Sequence, residues 1–221
     1  MEKQFEQYAD KEVIREIVDG KAALYEILIR RYNSLLYKIG RTYNYNHQDT
    51  EDLMQEAYIS AYCNLNKFEN RSSFKTWITR IMLNQCYQRR NKLSFKNEIS
   101  SDDHLTEKSK LMFHHSSNNE NTPVNKELGR VLENAIQEIP EDYRIIFTLR
   151  ELNGLSVAET AEALEISEGN VKVRLNRAKS MLRSEIEKMY SPQEIFEFNL
   201  IYCNGIVEKV MSKIHELNKD K

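Results

Sequence analysis

The chain has 221 residues, 40% hydrophobic and 30% charged, with only 6 Gly and 3 Pro and a formal charge of −2. That length fits one domain or two small ones, and the composition excludes a disordered or collagen-like chain. No apolar run reaches the ~18 residues of a membrane span, and the opening MEKQFEQYADKEVIRE lacks an apolar signal core, so neither membrane insertion nor a signal peptide is expected.

The scarcity of Gly and Pro, with long periodic stretches between them, predicts helices rather than a turn-rich β protein. Asp19-Gly20 precedes a helix whose Leu24, Leu28, Tyr32, Leu35, Leu36 and Ile39 share one apolar face. Asp49 or Thr50 is placed to cap the next helix, with Leu53, Ala57 and Ala61 inward. A loop over Asn66–Ser73 leads to a helix marked by Phe74, Trp77, Ile78, Ile81, Met82 and Tyr87. Trp77 and Phe74 are read as packing residues. The stretch 94–124, rich in Ser, Asn and charge, reads as a flexible tether. Beyond it, Leu128, Val131, Leu132, Ala135 and Ile139 form a stripe that stops at Pro140. A helix from Glu141 ends near Asn153-Gly154, a C-cap pair. Ser156 and Glu159 have capping-box spacing, with Ala158, Ala161 and Leu164 inward. After a turn at Glu165–Ser167, Ser167 caps a last helix with the seam Val171, Leu175, Ala178 and Leu182. The expected organisation is all-α: a helical domain 1–93, a linker 94–124, a second small helical domain 125–190 and a helical extension 191–221.

Charge along the chain is uneven. No acid occurs from Asn70 to Asn97 or from Gly169 to Ser184, and both stretches carry several Lys and Arg at helical spacing. Asp49, Glu51, Asp52 and Glu56 cluster just before the first. Single charge runs are commonly solvated faces; two basic faces interleaved with apolar seams point to two contacts with a polyanion, and the acidic cluster to a third, different contact. The pair of short helices at 156–183, the second basic, is a helix-turn-helix pattern, whose second helix suits the major groove. Asn170, Val173, Asn176 and Arg177 lie off its seam, and Lys172, Lys179 and Arg183 are placed for phosphates. Cys63, Cys86 and Cys203 are far apart and in no CxxC pair, which argues against a disulfide framework and a zinc site and fits a reducing cytoplasm. No phosphate loop, HExxH or Cys/His pair at motif spacing is present, so neither an enzyme nor a cofactor or metal site is expected.

GLSVAETAEALEISEGNVKVRLNRAKSMLR resembles region four of sigma-70 family transcription initiation factors, and EIPEDYRIIFTLREL the helix before it. DTEDLMQEAYISAYCNLNKFENRSSFKTWITRIMLNQCYQRR resembles region two, in order and at the expected distance. With nothing large before or between them, the chain resembles the compact extracytoplasmic-function (ECF) subgroup over roughly Asp19 to Glu187. The resemblance implies a cytoplasmic, non-enzymatic subunit that binds core RNA polymerase, through its β′ clamp and β flap, and directs promoter-specific DNA recognition and melting. It implies that Asp49, Glu51, Asp52, Gln55 and Glu56 meet the clamp; Asp52, Gln55, Glu56 and Ile59 share one stripe. It implies that Phe68, Arg71, Arg80, Asn84, Arg89 and Arg90 serve the minus-ten element, with Asn84 at a flipped-base pocket inside the loop Glu69–Ser73. It implies that Asn170, Lys172, Val173, Asn176, Arg177 and Lys179 read the minus-thirty-five element. Relatives often carry Gly-Thr-Val-Lys where this chain has Gly169-Asn170-Val171-Lys172, so base preference does not carry over. An anti-sigma partner is also expected. The competing readings are a stand-alone helix-turn-helix regulator, which predicts tight duplex binding without polymerase, and an RNA-binding or nuclease-like helical protein.

Overall fold

The computed structural model describes residues 8–99, 123–189 and 200–219. The described residues are all helix and connection, as expected. The linker expected over 94–124 falls mostly outside them. Two units divide the chain, Met1–Leu182 and Arg183–Lys221.

The first unit begins with a helix that the sequence reading does not mark, α1 (Asp10–Val18), which buries Val13, Ile14 and Ile17. Its Asp10 pairs with Arg31 and accepts from the Tyr32 hydroxyl, which fastens α1 to α2 (Tyr25–Thr42). α2 buries Leu28, Leu35, Leu36 and Ile39 along the expected stripe. α3 (His47–Cys63) turns Leu53, Ala57 and Ala61 inward, all fully buried. Its cap is neither Asp49 nor Thr50 but Asn46, whose Oδ1 accepts from the Asp49 amide at 2.8 Å. Asn46 is extended, at φ −66° and ψ 177°, so its side chain reaches back over the first turn. Asp49 sits inside that turn, where an acid favours the helix dipole. Thr50 is fully buried and bonds the Asn46 carbonyl at 2.7 Å.

α2 and α3 approach closely at Gly40. A Cβ there would lie 2.5 Å from Thr50 Cγ2 and 3.2 Å from Met82 Cε. Thr50 is branched and fully buried, so it has no open rotamer to retreat into. Gly40→Ala is therefore expected to destabilise the unit by about 1–3 kcal/mol through overpacking, measured as a lowered midpoint in urea; an unchanged midpoint would show that the helices part freely.

α4 (Phe74–Ile99) starts at Ser73, whose Oγ accepts from the Thr76 amide at 3.1 Å. It lies across α2 and α3 and buries Phe74, Ile78, Met82 and Cys86, a strict i+4 row. Tyr87, expected inward, is exposed instead; the row brings Cys86 to the core, where the Tyr45 hydroxyl donates to its carbonyl at 2.8 Å. Burial pushes the Cys86 thiol up to about 12.

The C-terminal half begins with α5 (Pro123–Glu138), whose Ala135 and Ile139 side are buried while Leu132 is exposed. α6 (Glu141–Phe147) runs into a wider π turn, Thr148–Leu152. Gly154 then reverses the chain at φ +62°, a conformation that favours glycine. α7 (Val157–Leu164) carries the expected capping box: Ser156 Oγ accepts from the Glu159 amide at 3.1 Å, and Ser156 N–H donates to Glu159 Oε2 at 2.7 Å. α8 (Glu168–Met189) is capped by Ser167 and buries Val171 and Ala178. Ala158, expected inward on α7, is exposed, and Thr160 and Ala163 are buried in its place. The reason is that α7 packs on two sides. Ala161 and Leu164 meet Val171 and Leu175 of α8, whereas Ala163 joins the core of the N-terminal half together with Ile145, Leu149 and Leu155. In the second unit, α9 (Leu200–Lys219) leaves Ile206, Val207, Val210, Met211 and Ile214 about half exposed.

Candidate functional site

On α3, Asp52 is half-buried, and Gln55, Glu56 and Ile59 are exposed along one side. Leu53 and Ala57 anchor the opposite side in the core, so the stripe stands clear of the packing. Two other members of the acidic cluster are engaged locally. Asp49 pairs with Arg89 of α4 at 2.7 Å, and Glu51 lies 3.2 Å from His47. Beside the stripe lies an open groove of about 610 Å³, lined by Tyr25, Ile29, Met54, Tyr58, Ile59 and Tyr62 among others. The Tyr25 hydroxyl donates to the Tyr58 carbonyl at 2.8 Å, and burial raises the Tyr25 phenol. The sequence reading named Ile59 but missed the groove. The signal was available, since Tyr62 follows Ile59 by three and Gln55 by seven, on the same helical side.

The candidate minus-ten residues divide into three groups. Phe68 is half-buried, its ring 5.0 Å from Trp77 and edge-on to Phe74 at 5.9 Å. The three rings close the base of the loop 69–73, and Trp77, half-buried, is part of that packing, as read. Arg71 on this loop is largely exposed and pairs with Glu69 at 2.5 Å; Asn84 is exposed on α4. Arg80, Arg89 and Arg90 all hold carboxylates: Arg89 that of Asp49, Arg80 that of Glu165 and Arg90 that of Glu141. Arg90 also lies over the Tyr87 ring, 5.3 Å from its centre.

On α8, Lys172, Val173, Asn176, Arg177 and Lys179 are exposed on one side and Asn170 is half-buried at the start. Ser167 Oγ accepts from the Asn170 amide at 3.2 Å, which ties Asn170 to the first turn. Val173 is 50% exposed, an apolar side chain held in solvent opposite the seam. Lys179 pairs with Glu151 at 2.9 Å and Arg174 approaches Asp142 at 3.8 Å, so two cations brace α8 against α6 and its π turn.

The start of α7 is held by the capping box. Hydrogen bonds from the Ser156 backbone hold the Glu159 carboxyl below its usual value of 4.5. A carboxyl depressed in the folded state adds stability above its unfolded value, and that stability fades as pH falls through the lower folded value. Ser156→Ala is expected to cost about 1 kcal/mol. Glu159→Ala removes the reciprocal bond to the Ser156 amide, so its cost should be read near neutral pH and shrink in acid, and a cost unchanged at pH 3 would show that the Glu159 charge takes no part.

Among the described residues no group of three His, Cys, Asp or Glu side chains is placed to hold a metal ion, and no helix is long and apolar enough to cross a membrane.

Residues 28–95 match the family model for sigma-70 region 2, and residues 129–182 match that for sigma-70 region 4. The chain is 30% identical over 190 residues to the ECF RNA polymerase sigma-E factor of Escherichia coli (strain K12), covering 83% of this chain and 97% of the relative. It is 28% identical over 196 residues to the ECF RNA polymerase sigma-E factor of Haemophilus influenzae, covering 83% and 98%. In fold it is similar to CnrH, solved with the cytosolic domain of CnrY, at a TM-score of 0.60 and 21% identity over 82% of this chain and 99% of that one. It is also similar to the sigma factor RpoE of Bartonella quintana, solved with the anti-sigma factor NepR, at 0.61 and 19% over 74% and 96%. The two regions in order, on an all-helical frame and in a chain that spans nearly the whole of its relatives, place it: the chain belongs to the ECF group of sigma-70 family sigma factors.

Proposed function

We propose that the three surfaces divide the work of a sigma factor as follows. The α3 stripe and its groove bind the β′ clamp of core RNA polymerase, with Asp52, Gln55, Glu56 and Ile59 in contact. Asp49 and Glu51 join the contact at the start of the helix, where Asp49 also pairs with Arg89 and Glu51 lies beside His47. α4 and the loop before it hold the opened minus-ten strand: Asn84 at the base, Arg71, Arg80, Arg89 and Arg90 at phosphates, and Phe68 as the packed support of the loop. A melting factor that is not an enzyme must trap unstacked bases, and an exposed amide flanked by cations suits that task. α8 enters the major groove of the minus-thirty-five element, with Val173, Asn176 and Arg177 toward bases and Lys172 and Lys179 toward phosphates. The domain division 1–93 and 125–190 follows these tasks, with the β flap as the polymerase contact of the second part. RNA synthesis itself belongs to the polymerase. The chain works in the cytoplasm, where polymerase and chromosome are. An anti-sigma partner is part of this reading, as one fold relative is a sigma factor held by such a protein.

The observation that supports this most is the separation of signs. An exposed acidic stripe beside an apolar groove stands on α3, while the exposed sides of α4 and α8 are basic. A stand-alone regulator leaves that stripe and groove without a role. The test is co-elution of the purified chain with bacterial core RNA polymerase, beside duplex-DNA binding without polymerase. Co-elution with weak free DNA binding is expected; tight, specific DNA binding without polymerase association would overturn the reading.

A further inference from the structure

α9 lies beyond the two sigma regions, and none of the surfaces assigned above uses it. Every residue from Gly205 to Ile214 is exposed, apolar and polar alike. Ile206, Val207, Val210, Met211 and Ile214 keep between 42% and 52% exposure. A single helix of this length is marginal in water, and an amphipathic one draws its stability from what covers its apolar face. Among the described residues of the unit Arg183–Lys221, nothing covers that face.

The spacing of the apolar residues says what fits there. Written as a heptad, α9 places Leu200, Val207 and Ile214 at the a positions and Cys203, Val210 and Leu217 at the d positions. All six seam positions are apolar, and the steps between them alternate three and four. That period is the pattern of a left-handed coiled coil, whose seam is met by a second helix of the same kind. β-branched Val207 and Ile214 at a, with Leu217 at d, favour two strands. The outer f positions agree: they hold Gly205, Ser212 and Lys219, and a Cβ at Gly205 would stand in open space.

The flanking positions choose the partner. In a parallel pair, g of one helix meets e of the next heptad in the other. Identical helices would set Ile206 opposite Met211, and position 213 (Lys) opposite position 218 (Asn). No like charges meet, and Ile206 and Met211 widen the seam. A helix built for a different partner carries complementary charges at e and g, and α9 carries one charge, Lys213, at positions 204, 206, 211, 213 and 218. The polar side also speaks against a lipid surface: Glu208, Lys209, Lys213 and Glu216 mix both signs, whereas membrane-surface helices are rich in Lys and Arg there.

We propose that α9 is a dimerisation helix: two copies of the chain pair in parallel and in register through positions 200, 203, 207, 210, 214 and 217. The seam is short, so the interface belongs to the small, transient class, below about 1,200 Å². Its dissociation constant is expected on the order of 10 μM. The inference does not depend on the roles given to α3, α4 and α8.

The test is sedimentation equilibrium of the full chain over concentrations a decade either side of that constant, where a monomer–dimer equilibrium is expected. Val207→Lys/Ile214→Lys puts like charges into the seam and is expected to weaken pairing at least tenfold. Both positions are exposed in the single chain, so the melting midpoint of the first unit should not move. The control Glu208→Gln/Ser212→Lys adds the same two positive charges at exposed outer positions and is expected to keep the constant within about twofold. Gly205→Ala raises helix propensity in both copies and is expected to tighten pairing at least threefold. Register is read separately in Cys63→Ser, where, with Cys86 buried, Cys203 is left to report. Diamide, which takes up the two hydrogens as two thiols join, is expected to link the pair through Cys203, and to fail when Val207→Lys/Ile214→Lys is added. A chain that stays monomeric over the whole range overturns the proposal, whether or not it binds vesicles of anionic lipid. So does a dimer that the seam variant leaves intact. A dimer lost with the seam but never linked through Cys203 overturns the parallel register.

Discussion

Replacing Asp52 and Glu56 with arginine is expected to abolish co-elution with core RNA polymerase, a loss of affinity of at least a hundredfold. The two carboxylates are one helical turn apart on α3, and the side chains between them and the core, Leu53 and Ala57, are fully buried on the other side. Reversal therefore changes the surface without touching the packing. Like charges brought face to face at an interface cost several kcal/mol, and about 2.7 kcal/mol is already a hundredfold. Stability should move by no more than about 0.5 kcal/mol, as for surface changes away from caps and cores. Asp49→Arg should behave differently: it breaks the pair with Arg89 and puts a cation in the first turn of α3, so its loss of binding should come with a lowered melting midpoint. Ile59→Arg at the end of the stripe, where the side chain is 57% exposed, is expected to weaken association without that thermal cost. Co-elution retained by the Asp52 and Glu56 double variant would remove α3 from the polymerase contact.

Much of this was legible because local chemistry repeats faithfully. The capping box at Ser156 and Glu159 and the cap at Ser167 stand where their spacing puts them, and the seam of α8 follows its period. The misplacements have definite causes. Asn46 and Asp49 are both residues that helix starts favour, one as cap and one in the first turn, and only the backbone at Asn46 decides between them. An aromatic at helical spacing looks like core, yet the i+4 row through Met82 brings in Cys86 and leaves Tyr87 outside beneath Arg90. α7 is too short for its period to be secure, and it answers to two neighbours at once, one of them α4, far away in sequence. The same distance hides the partners of Arg80 and Arg90. A basic run shows that cations are present, not which carboxylates the fold will bring to them. The groove beside α3 is likewise a product of two helices, one wall of it contributed by Tyr25 and Ile29 of α2.

Asn176→Ala and Arg177→Ala on α8 are expected to erase preference for the minus-thirty-five element while leaving general duplex affinity nearly intact. Both side chains are exposed, opposite a seam that holds Val171 and Ala178 fully buried, so neither substitution disturbs the helix-turn-helix packing. An Asn or Arg that meets a base edge with two hydrogen bonds is worth about 1–3 kcal/mol of discrimination. Each variant should therefore lose roughly tenfold to a hundredfold in the ratio of specific to nonspecific binding, measured with holoenzyme on matched duplexes. Lys172→Ala should instead weaken all sequences alike and reduce the salt slope by about 0.9, the signature of one lost phosphate contact. Lys179 is the instructive neighbour, because Glu151 holds it at 2.9 Å. If phosphate competes for that ammonium, Glu151→Ala frees the cation and removes a repelling charge, so duplex affinity should rise where Lys179→Ala lowers it. The decisive outcome concerns Arg177. Should its removal lower affinity for every sequence and flatten the salt slope, it is a phosphate anchor. Base reading on α8 then falls to Asn176 and to Val173, whose half-exposed methyls are the only apolar contact that the described face of the helix offers a thymine.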